Sequence, residues 1–201
     1  MSTIKKKDVV LIATHNKGKA KEFEELFSKY KITTKFSHQF GIKEPEETGK
    51  TFKENSIIKA KSASNNGFVV ISDDSGLCVD CLDGKPGIFS ARVANQLGGW
   101  SNAMKKIYNE VRDKQTENFS AKYVCCLSIL FMNQKIYSYL GEIKGTITWP
   151  PKGKNGFGYD PFFKPNNSEK TFGETSKEIK MSIDHRSIAF EKMMKLHYKE
   201  T

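Results

Sequence analysis

The stretch Val9-Val-Leu-Ile-Ala-Thr-His-Asn-Lys-Gly-Lys19 decides the fold, because it passes from an apolar run directly into a polar turn. The short apolar run at 9–13 is typical of a buried strand. Beyond the turn, large apolar residues recur at the spacing of an amphipathic helix, and they are Phe23, Leu26, Phe27 and Tyr30. A second strand is predicted at 32–36. Strand, tight loop, helix and strand together predict an α/β domain.

Similar signals continue along the chain. Thr51-Phe-Lys-Glu54 has the pattern of a capping box, so a helix is predicted to start there and to end before Gly67. A strand is predicted at 68–72, with Asp73-Asp-Ser-Gly76 as the turn at its C-terminal end. A further helical stripe consists of Trp100, Met104, Ile107, Tyr108 and Val111. The segments 123–132 and 135–143 predict an antiparallel hairpin.

The last fifty residues combine a long loop with a final helix. Residues 150–158 are rich in Pro, Gly and Lys and predict a loop. Thr175-Ser-Lys-Glu178 matches a second capping box. Ala189, Met193 and Leu196 are predicted to form the apolar side of the last helix. Long loops in a compact α/β domain are usually where function is carried.

Length and composition narrow the class of protein. The 201 residues fit one domain over 1–201, with or without a hinge, and suffice to bury a core. No stretch approaches the ~20 consecutive apolar residues that a membrane helix needs. The first residues lack the apolar centre of a secretory signal, so we expect a cytoplasmic protein that does not bind membranes.

The charge and the cysteines narrow the class of partner. The formal net charge is +10, which favours a polyanionic partner. The lysines are scattered and form no block of five or six, so free phosphates are a better expectation than nucleic acid. The four cysteines comprise one CxxC at Cys78 and Cys81 and the adjacent pair Cys125 and Cys126. Without a second pair or spaced histidines, free thiols are expected rather than zinc ligands.

Two polar segments could bind phosphate and metal. The turn at 14–19 should direct backbone N–H groups and the positive end of the following helix at one spot, which favours phosphate, although an ordinary polar turn fits the residues equally well. Asp73 and Asp74 at a strand end could hold Mg²⁺ or take a proton from water, whereas Asp and Ser also favour simple turns. The acidic loop at 44–47 could supply a second ligand or be a solvated charge cluster.

Two later segments could bind a flat ring and its polar edge. Gly156-Phe-Gly-Tyr-Asp-Pro161 places glycines around aromatic residues, as suits a loop that stacks on a base. Asp160 could accept from a base N–H. Arg186 is a planar donor for an oxygen, and Lys180 precedes it by six residues. Each of these segments alone also fits a purely structural role, as a buried apolar loop or a basic helix start.

In combination and order, these segments resemble the inosine triphosphate pyrophosphatase family, whose members act on aberrant purine nucleoside triphosphates. The resemblance covers nearly the whole chain. It is carried by Leu11 through Lys19, Glu46-Glu-Thr-Gly49 through Asn55, Ser72-Asp-Asp-Ser-Gly-Leu77 through Pro86-Gly-Ile-Phe-Ser-Ala-Arg92, Gly156 through Pro161, and His185-Arg186.

The resemblance implies an elongated α/β protein with a mixed central sheet flanked by helices and an active-site cleft between two lobes. It implies a homodimer that uses Mg²⁺ and cleaves ITP, dITP and XTP to the monophosphate and pyrophosphate, with no nucleic-acid or membrane partner. Asp74 would be the general base and a metal ligand, and Glu46 the second metal ligand, with Glu44, Glu47 and Asp73 as alternatives. The implied substrate-binding residues are Thr14, His15, Asn16, Lys17, Gly18, Lys19, Ser75, Arg92, Phe157, Gly158, Tyr159, Asp160, Lys180, His185 and Arg186.

Two positions depart from the family pattern, and one chemical argument supports the assigned specificity. His15 stands where glycine is common, and Asp184 where serine is usual before His-Arg. Hypoxanthine offers an N1–H donor and an O6 acceptor, which Asp160 and Arg186 could match. Adenine presents the reverse pattern and would leave buried polar groups unpaired, at a cost of ~10⁴-fold or more in kcat/KM.

Overall fold

The computed structural model describes residues 2–64 and 66–200. Their helices and strands follow one another as β1 (Ile4–Lys5), β2 (Val9–Ile12), α1 (Lys17–Ser28), β3 (Thr33–Phe36), α2 (Phe52–Ser62), β4 (Val69–Val79), β5 (Lys85–Pro86), α3 (Ser90–Gln96), α4 (Trp100–Asp113), β6 (Ser120–Leu130), β7 (Ile136–Ile147), β8 (Phe163–Pro165), α5 (Lys177–Ile183), α6 (His185–His197) and β9 (Tyr198–Lys199). In these ranges no helix is both long and apolar enough to cross a lipid bilayer.

Seven strands form one mixed sheet in the order β3-β2-β4-β6-β7-β8, with β5 paired to β4. Strand β2 is parallel to both of its neighbours, β3 and β4. Strands β7 and β8 are antiparallel, as are β4 and β5. The short strands β1 and β9 make a separate parallel pair that joins the two ends of the chain. A mixed sheet with helices confirms the predicted α/β class.

The chain divides into two compact units, each built from separate stretches. Unit 1 comprises 1–74, 125–141 and 186–201, and unit 2 comprises 75–124 and 142–185. Strands β4, β6 and β7 each contribute residues to both units. Because neither unit is one continuous stretch, no single cut along the chain separates them. The assignment of 1–201 as one functional domain stays a prediction.

Unit 1 forms because its apolar stripes face the sheet. The predicted helix after the polar turn is confirmed, since α1 buries Phe23, Leu26 and Phe27. Phe27 packs edge-on against Phe190 of α6 at 4.8 Å between ring centroids. Strand β2 is buried from Val10 to Ile12, as its continuous apolar run predicted. The predicted start of α2 is also confirmed. Thr51 is the N-cap of this helix, because the side chain of Thr51 accepts from the backbone N–H of Glu54.

Unit 2 has its own core, which is rich in aromatic residues. Helix α4 contributes the predicted stripe, of which Met104, Ile107 and Val111 are buried. The opposing residues come from the strands and from the segment after β7, and they include Tyr123, Tyr159, Phe162, Phe163 and Phe172. The hairpin predicted around 133–134 corresponds to β6 and β7, which are neighbours in the sheet, and the backbone N–H of Phe131 donates to the carbonyl of Lys135 across the turn.

The predicted turn at 73–76 is wrong, because β4 continues through it to Val79. Gly76 serves close packing instead of a turn. A Cβ atom on Gly76 would lie 2.1 Å from the carbonyl oxygen of Gly87 and 2.6 Å from Oγ of Ser90. Ser90 Oγ also accepts from the backbone N–H of Leu77. Glycine therefore lets the segment at 87–90 rest on the strand, a reason that local turn chemistry does not reveal.

The C-terminal helical region differs from its prediction in three details. Ser176 caps α5, whereas the hydroxyl of Thr175 donates to the carbonyl of Phe172, so the N-cap lies one residue later than predicted and Ile179 takes the place where a capping box needs Glu or Gln. The helix then breaks at Asp184, whose backbone is extended. Leu196 is 65% exposed, so the predicted apolar side of α6 ends at Met193 and Met194. Only tertiary packing decides which side of α6 faces the sheet.

Candidate active site

The predicted phosphate loop connects β2 to α1 in unit 1. Asn16 caps α1, because its side-chain oxygen accepts from the backbone N–H groups of Gly18 (2.9 Å) and Lys19 (3.1 Å). Its own backbone N–H donates to Oγ1 of Thr14 at 3.2 Å. Thr14 and Lys19 are buried, whereas Lys17 is exposed. The loop is thus held in shape by its own polar side chains before any ligand binds.

The departure at position 15 has a structural consequence. Nε2 of His15 donates to the carbonyl oxygen of Ile42 at 2.9 Å. Ile42 lies at the start of the segment that carries the acidic residues 44–47. The histidine therefore ties the phosphate loop to the acidic loop, which a glycine could not do.

Asp73 lies at the centre of a buried ionic cluster in unit 1. Its Oδ2 lies 2.9 Å from Nζ of Lys19 and 3.0 Å from Nη2 of Arg186. Arg186 also pairs with Glu22, so α1, β4 and the start of α6 are joined by charge. The side chains of Asp73 and Arg186 are fully enclosed. Such a cluster is costly to desolvate and is stable only when its members are paired, as they are here.

The charges around Asp73 keep it ionised. Burial alone raises the pKa of a carboxyl, but Lys19, Arg186 and Lys59 outweigh burial and hold the pKa of Asp73 well below its usual range. Oδ1 of Asp73 is buried and accepts no hydrogen bond from the described residues. Because buried acceptors are normally satisfied, this oxygen keeps capacity for a water or a cation.

The pKa of Asp74, the next residue, is shifted in the opposite direction, upward. Burial is the main cause that raises the pKa of Asp74 to about 6, and the nearby charge of Glu47 adds to it. Lys19, Lys59 and the hydrogen bond from Nδ2 of Asn55 (3.0 Å) lower the pKa only in part. Successive residues of a strand point to opposite faces, so Asp73 meets α1 and α6, whereas Asp74 meets α2. Two adjacent carboxyls are thereby given different proton affinities.

Lys59 of α2 is a site residue that the sequence analysis did not identify. It is buried, and its Nζ lies 3.1 Å from Oε1 of Glu47. Burial alone lowers the pKa of a lysine, but Asp73, Glu47 and Asp74 raise the pKa of Lys59 above its usual value. The available signal was that α2 buries polar positions, namely Asn55, Ser56 and Lys59. That pattern indicates a helix whose polar side faces a site.

The structure favours Glu47 over Glu46 as the acidic partner of Asp74. Glu47 is half-buried and acts electrostatically on Asp74, whereas Glu44 and Glu46 are exposed. Among the residues that the structure describes, three or more His, Cys, Asp or Glu side chains do not converge on one point in a way that would hold a metal. None of the four cysteines, all of which lie in the described residues, forms a disulfide bond.

Unit 2 brings together Phe157, Asp160 and Lys180. Oδ2 of Asp160 accepts from the backbone N–H of Phe157 at 2.8 Å and from Nζ of Lys180 at 2.7 Å. Nζ of Lys180 lies 4.8 Å from the centroid of the half-buried Phe157 ring. Asp160 and Lys180 are both buried. The segment thus combines a half-exposed aromatic ring with a buried ion pair.

The other predicted residues of unit 2 divide into buried and accessible ones. Tyr159 is 2% exposed and its hydroxyl donates to the carbonyl of Ser90, so it belongs to the core. His185 is buried and stacks on Tyr123 at 4.6 Å between ring centroids. Arg92 lies over the exposed ring of Phe89. Ser75 and Gly158 are half-buried.

The predicted contacts of Asp160 and Arg186 with the base stay predictions, and the structure shows the protein partners of both side chains. Arg186 lies in unit 1 with its guanidinium on Glu22 and Asp73, and Asp160 lies in unit 2 with its carboxylate on Phe157 and Lys180. Both side chains are engaged by protein groups of opposite charge. The spacing of the sequence could not show this, because the partners come from distant segments.

Comparison with known proteins shows the family to which the chain belongs. The model of the Ham1 family matches residues 10–196. The chain belongs to the Ham1 family. A dITP/XTP pyrophosphatase of Mesorhizobium japonicum is 40% identical, with 96% of this chain and 94% of that protein covered. A dITP/XTP pyrophosphatase of Bacillus anthracis is also 40% identical, over 92% of this chain and 93% of that protein. The family resemblance seen in the sequence is confirmed.

Solved structures agree with the fold. A HAM1 protein from Coxiella burnetii is 32% identical with a TM-score of 0.85, and 94% of this chain and 98% of that one are covered. The Ham1 protein of Staphylococcus aureus is 34% identical with a TM-score of 0.82, over 94% of this chain and 97% of that one. Both confirm that this Ham1 chain has the mixed α/β fold of its family.

Proposed function

We propose that this Ham1 protein hydrolyses the aberrant purine nucleotides dITP, XTP and ITP to the monophosphate and pyrophosphate. The observation that carries the proposal is the pair Asp73 and Asp74: Asp73 is paired with Lys19 and Arg186, Asp74 accepts from Asn55, and their pKa values are shifted in opposite directions. Two neighbouring carboxyls with separated pKa values are typical of a charged anchor beside an acid–base group. The names of the relatives support the choice of substrate.

Asp74 is the proposed general base. Its pKa of about 6 lies close to neutral pH, where a base is both deprotonated and able to accept a proton. In this scheme a carboxylate oxygen of Asp74 takes the proton of a water that attacks the α-phosphorus. The bond from that phosphorus to the oxygen bridging the α- and β-phosphates breaks, and pyrophosphate leaves. Asn55 orients the carboxylate through its hydrogen bond to Oδ2.

Lys19, Lys59 and the loop at 14–19 are the proposed phosphate-binding groups. A triphosphate brings several negative charges, and hydrolysis needs those charges neutralised and the water oriented. Lys19 and Lys59 are both buried beside the two aspartates. When substrate binds, the ammonium groups of both lysines would contact phosphate oxygens in addition to the carboxylates.

Mg²⁺ is the proposed cofactor, with Asp74 and Glu47 as its protein ligands. When bound, it would supply positive charge at the phosphate oxygens. The residues fit this ion, since Mg²⁺ commonly keeps several waters and uses only one or two carboxylates together with substrate phosphates. The hydrogen-bond capacity left on Oδ1 of Asp73 agrees with a hydrated ion nearby.

The loop around Phe157 is the proposed place for the purine. The ring of Phe157 is half-exposed and could stack on a base, whereas the buried Tyr159 supports the loop from the core. Ser75 and Arg92 are retained as proposed substrate contacts. A homodimeric state is a further proposal, which rests on the family resemblance. We also propose a cytoplasmic location, as expected above from the sequence.

A panel of nucleotides tests the proposed function. We expect kcat/KM for XTP or dITP to exceed that for ATP at least ~100-fold, because a site that hydrogen-bonds the 6-keto edge leaves polar groups unpaired against adenine. The measurement is pyrophosphate release from dITP, XTP, ITP, GTP, ATP, dUTP and dCTP in Mg²⁺. Equal rates for ATP and XTP would refute the purine selectivity, and release of orthophosphate would refute the bond assignment.

The pH profile tests the role of Asp74. A general base must be deprotonated, so kcat/KM should fall about tenfold for each pH unit below the pKa of Asp74. Without metal that pKa is about 6. Bound Mg²⁺ stabilises the carboxylate form, so a higher Mg²⁺ concentration should move the acidic limb to lower pH. A limb that stays at one pH across all Mg²⁺ concentrations would argue against Asp74 as a metal ligand.

A further inference from the structure

Helix α2 of unit 1 packs on the sheet largely through polar side chains. Its buried positions are Asn55, Ser56, Lys59 and Ala60, of which three are polar. Buried polar groups are normally hydrogen-bonded, and hydrogen bonds are directional in a way that apolar contacts are not. The place of α2 on the sheet is therefore set in part by hydrogen bonds.

Three serine hydroxyls connect the sheet to the first turn of α2, residues 52–56. Oγ of Ser138 on β7 lies 2.8 Å from Oγ of Ser128 on β6, which lies 2.7 Å from Oγ of Ser56. The Ser56 hydroxyl donates to the carbonyl of Lys53 at 2.9 Å. Because each hydroxyl has one proton, Ser128 must donate to Ser56 and Ser138 to Ser128. The chain of hydrogen bonds thus runs in one direction, from the sheet to the helix, and its members polarise one another.

A further hydroxyl reaches the same turn from β4. Oγ of Ser72 donates to the backbone carbonyl of Ser56 at 2.6 Å. Ser56, Ser72 and Ser128 are all fully buried. Ser72 and Asp74 are two residues apart on one strand, so their side chains point to the same face, the one that α2 covers. That face of β4 therefore carries both the proposed general base and a hydroxyl that holds the helix above it.

Asn55 is the side chain that the first turn presents to the site. Its Nδ2 donates to Oδ2 of Asp74 at 3.0 Å, and its Oδ1 accepts from the backbone N–H of Gly49 at 2.8 Å. Because a backbone N–H can only donate, the amide oxygen faces Gly49 and the amide N–H groups face Asp74. Asn55 directly precedes Ser56, so any shift of Ser56 moves the amide relative to the carboxylate.

The second half of α2 is held in a different way. It belongs to an apolar cluster of buried residues, which are Leu11, Ala13, Ala60, Ala63, Val70 and Leu130. Lys59 lies in this half, and its Nζ is 3.1 Å from Oε1 of Glu47. Loss of a hydroxyl at the first turn should therefore displace Asn55 more than Lys59.

We propose that Ser56, Ser72 and Ser128 are positioning residues, which fix the first turn of α2 and thereby hold the amide of Asn55 against Asp74. This inference rests on the proposed function, in which Asp74 is the general base. The serines act through Asn55 rather than by contact with the nucleotide. Their loss should lower kcat, whereas KM, which depends on the lysines and the loop at 14–19, should change little.

The kinetic test uses Ser128→Ala and Ser72→Ala. We expect each to lower kcat for XTP about 10-fold with KM within about threefold of wild type, because a misplaced general base slows the chemical step. Ser62→Ala is the matched control, since Ser62 also donates to a carbonyl of α2, that of Lys59, but is exposed. It should behave as wild type. If Ser128→Ala does not fold, Ser72→Ala carries the test, because it leaves the chain of three hydroxyls intact. Wild-type kcat in the folded variants would overturn the proposal.

A double-mutant cycle with Asn55→Ala separates positioning from a general loss of structure. Asn55→Ala removes the amide through which the serines are proposed to act. In that background Ser128→Ala should lower kcat by less than about twofold, because residues that act through one interaction are not additive. A loss of about 10-fold in both backgrounds would mean that the serine acts independently of Asn55, and would overturn the proposal.

A structural test does not depend on turnover. The backbone N–H of Gly49 donates to Asn55, so its hydrogen exchange, followed by NMR without nucleotide, reports whether the amide of Asn55 is in place. Exchange at Gly49 should be about 10-fold faster or more in Ser128→Ala and Ser72→Ala, and unchanged in Ser62→Ala. Unchanged exchange in both test variants, or an equal increase throughout unit 1, would overturn the proposal.

The tests separate failure of this inference from failure of the proposed function. If the wild-type protein turns over no nucleotide while exchange at Gly49 still rises in the serine variants, the proposed function fails, although the serines still hold Asn55 in place. If the wild type is active and the effects of Ser128→Ala and Asn55→Ala simply multiply, the proposed function stands and the positioning role fails.

Discussion

Asp74→Asn should lower kcat by about 10²–10⁴-fold at saturating Mg²⁺, since it removes the proposed general base and weakens a metal ligand. The substitution keeps the size and shape of the side chain. Its side-chain oxygen can still accept from Nδ2 of Asn55, so the local structure should be retained. Single-turnover hydrolysis of XTP measures the chemical step directly. Activity within tenfold of wild type would move the role to Asp73 or to Glu47.

The same substitution should stabilise the metal-free fold at alkaline pH. The pKa of Asp74 is raised from 3.8 to about 6 in the folded chain, so the ionised carboxyl is disfavoured there. The penalty is absent below about pH 4, where both states are protonated, and is complete above about pH 6. In EDTA at pH 8, Asp74→Asn should therefore raise the free energy of unfolding by up to about 3 kcal/mol. Urea unfolding at pH 4 and pH 8 measures this.

Asp73→Asn is the matched control, and the opposite result is expected. Asp73 is held ionised by Lys19 and Arg186, and its amide would leave two buried cations without their shared carboxylate. Removing one partner of a buried ionic cluster costs about 3–5 kcal/mol. Opposite signs for two adjacent, isosteric substitutions would establish that they have separate roles. Equal destabilisation by both would contradict the environment described for Asp74.

The division between Asp73 and Asp74 shows what the sequence could and could not predict. The apolar run before them predicted a strand, but Asp-Asp-Ser-Gly has the composition of a turn, so a turn was predicted. Had the strand been extended to Val79, its alternation would have placed the two carboxyls on opposite faces. The misleading residue is Gly76, which is present for close contact with Gly87 and not for a positive φ.

For the site residues too, local patterns predicted the helices but not the contacts between distant segments. Helix α1 followed from local spacing, because its apolar residues recur at helical intervals within one short stretch. The sequence could not show that Glu47, rather than Glu46, pairs with Lys59, since adjacent loop residues differ only in which one turns toward that lysine. Which of the two glutamates binds metal stays a prediction. Lys59 was missed because a lysine within a helix is usually exposed. Arg186 meets Glu22 and Asp73 from 164 and 113 residues away, which no local pattern indicates.

Lys19→Ala should weaken the binding or turnover of ITP by about 2–4 kcal/mol, the range for removal of one partner from a buried charge contact. Lys19 is buried beside Asp73 at the end of the loop at 14–19, where the phosphates are proposed to lie. Lys19→Arg should recover only part of the loss, because a planar guanidinium does not fit the place of a compact ammonium. Asp73 keeps Arg186 as a partner, so the fold should persist.

The affinities of ITP and IMP for these variants show which phosphates Lys19 contacts. If it holds the β- and γ-phosphates, Lys19→Ala should reduce ITP affinity far more than IMP affinity, since the monophosphate lacks those groups. Lys6→Ala is the control, because Lys6 is exposed near the N-terminus and should affect neither nucleotide. If the +10 charge served nucleic acid instead, Lys19 would be one lysine among many and its removal would change the salt slope of binding by about one unit. Equal losses for ITP and IMP would place Lys19 away from the β- and γ-phosphates and refute the assignment of the loop.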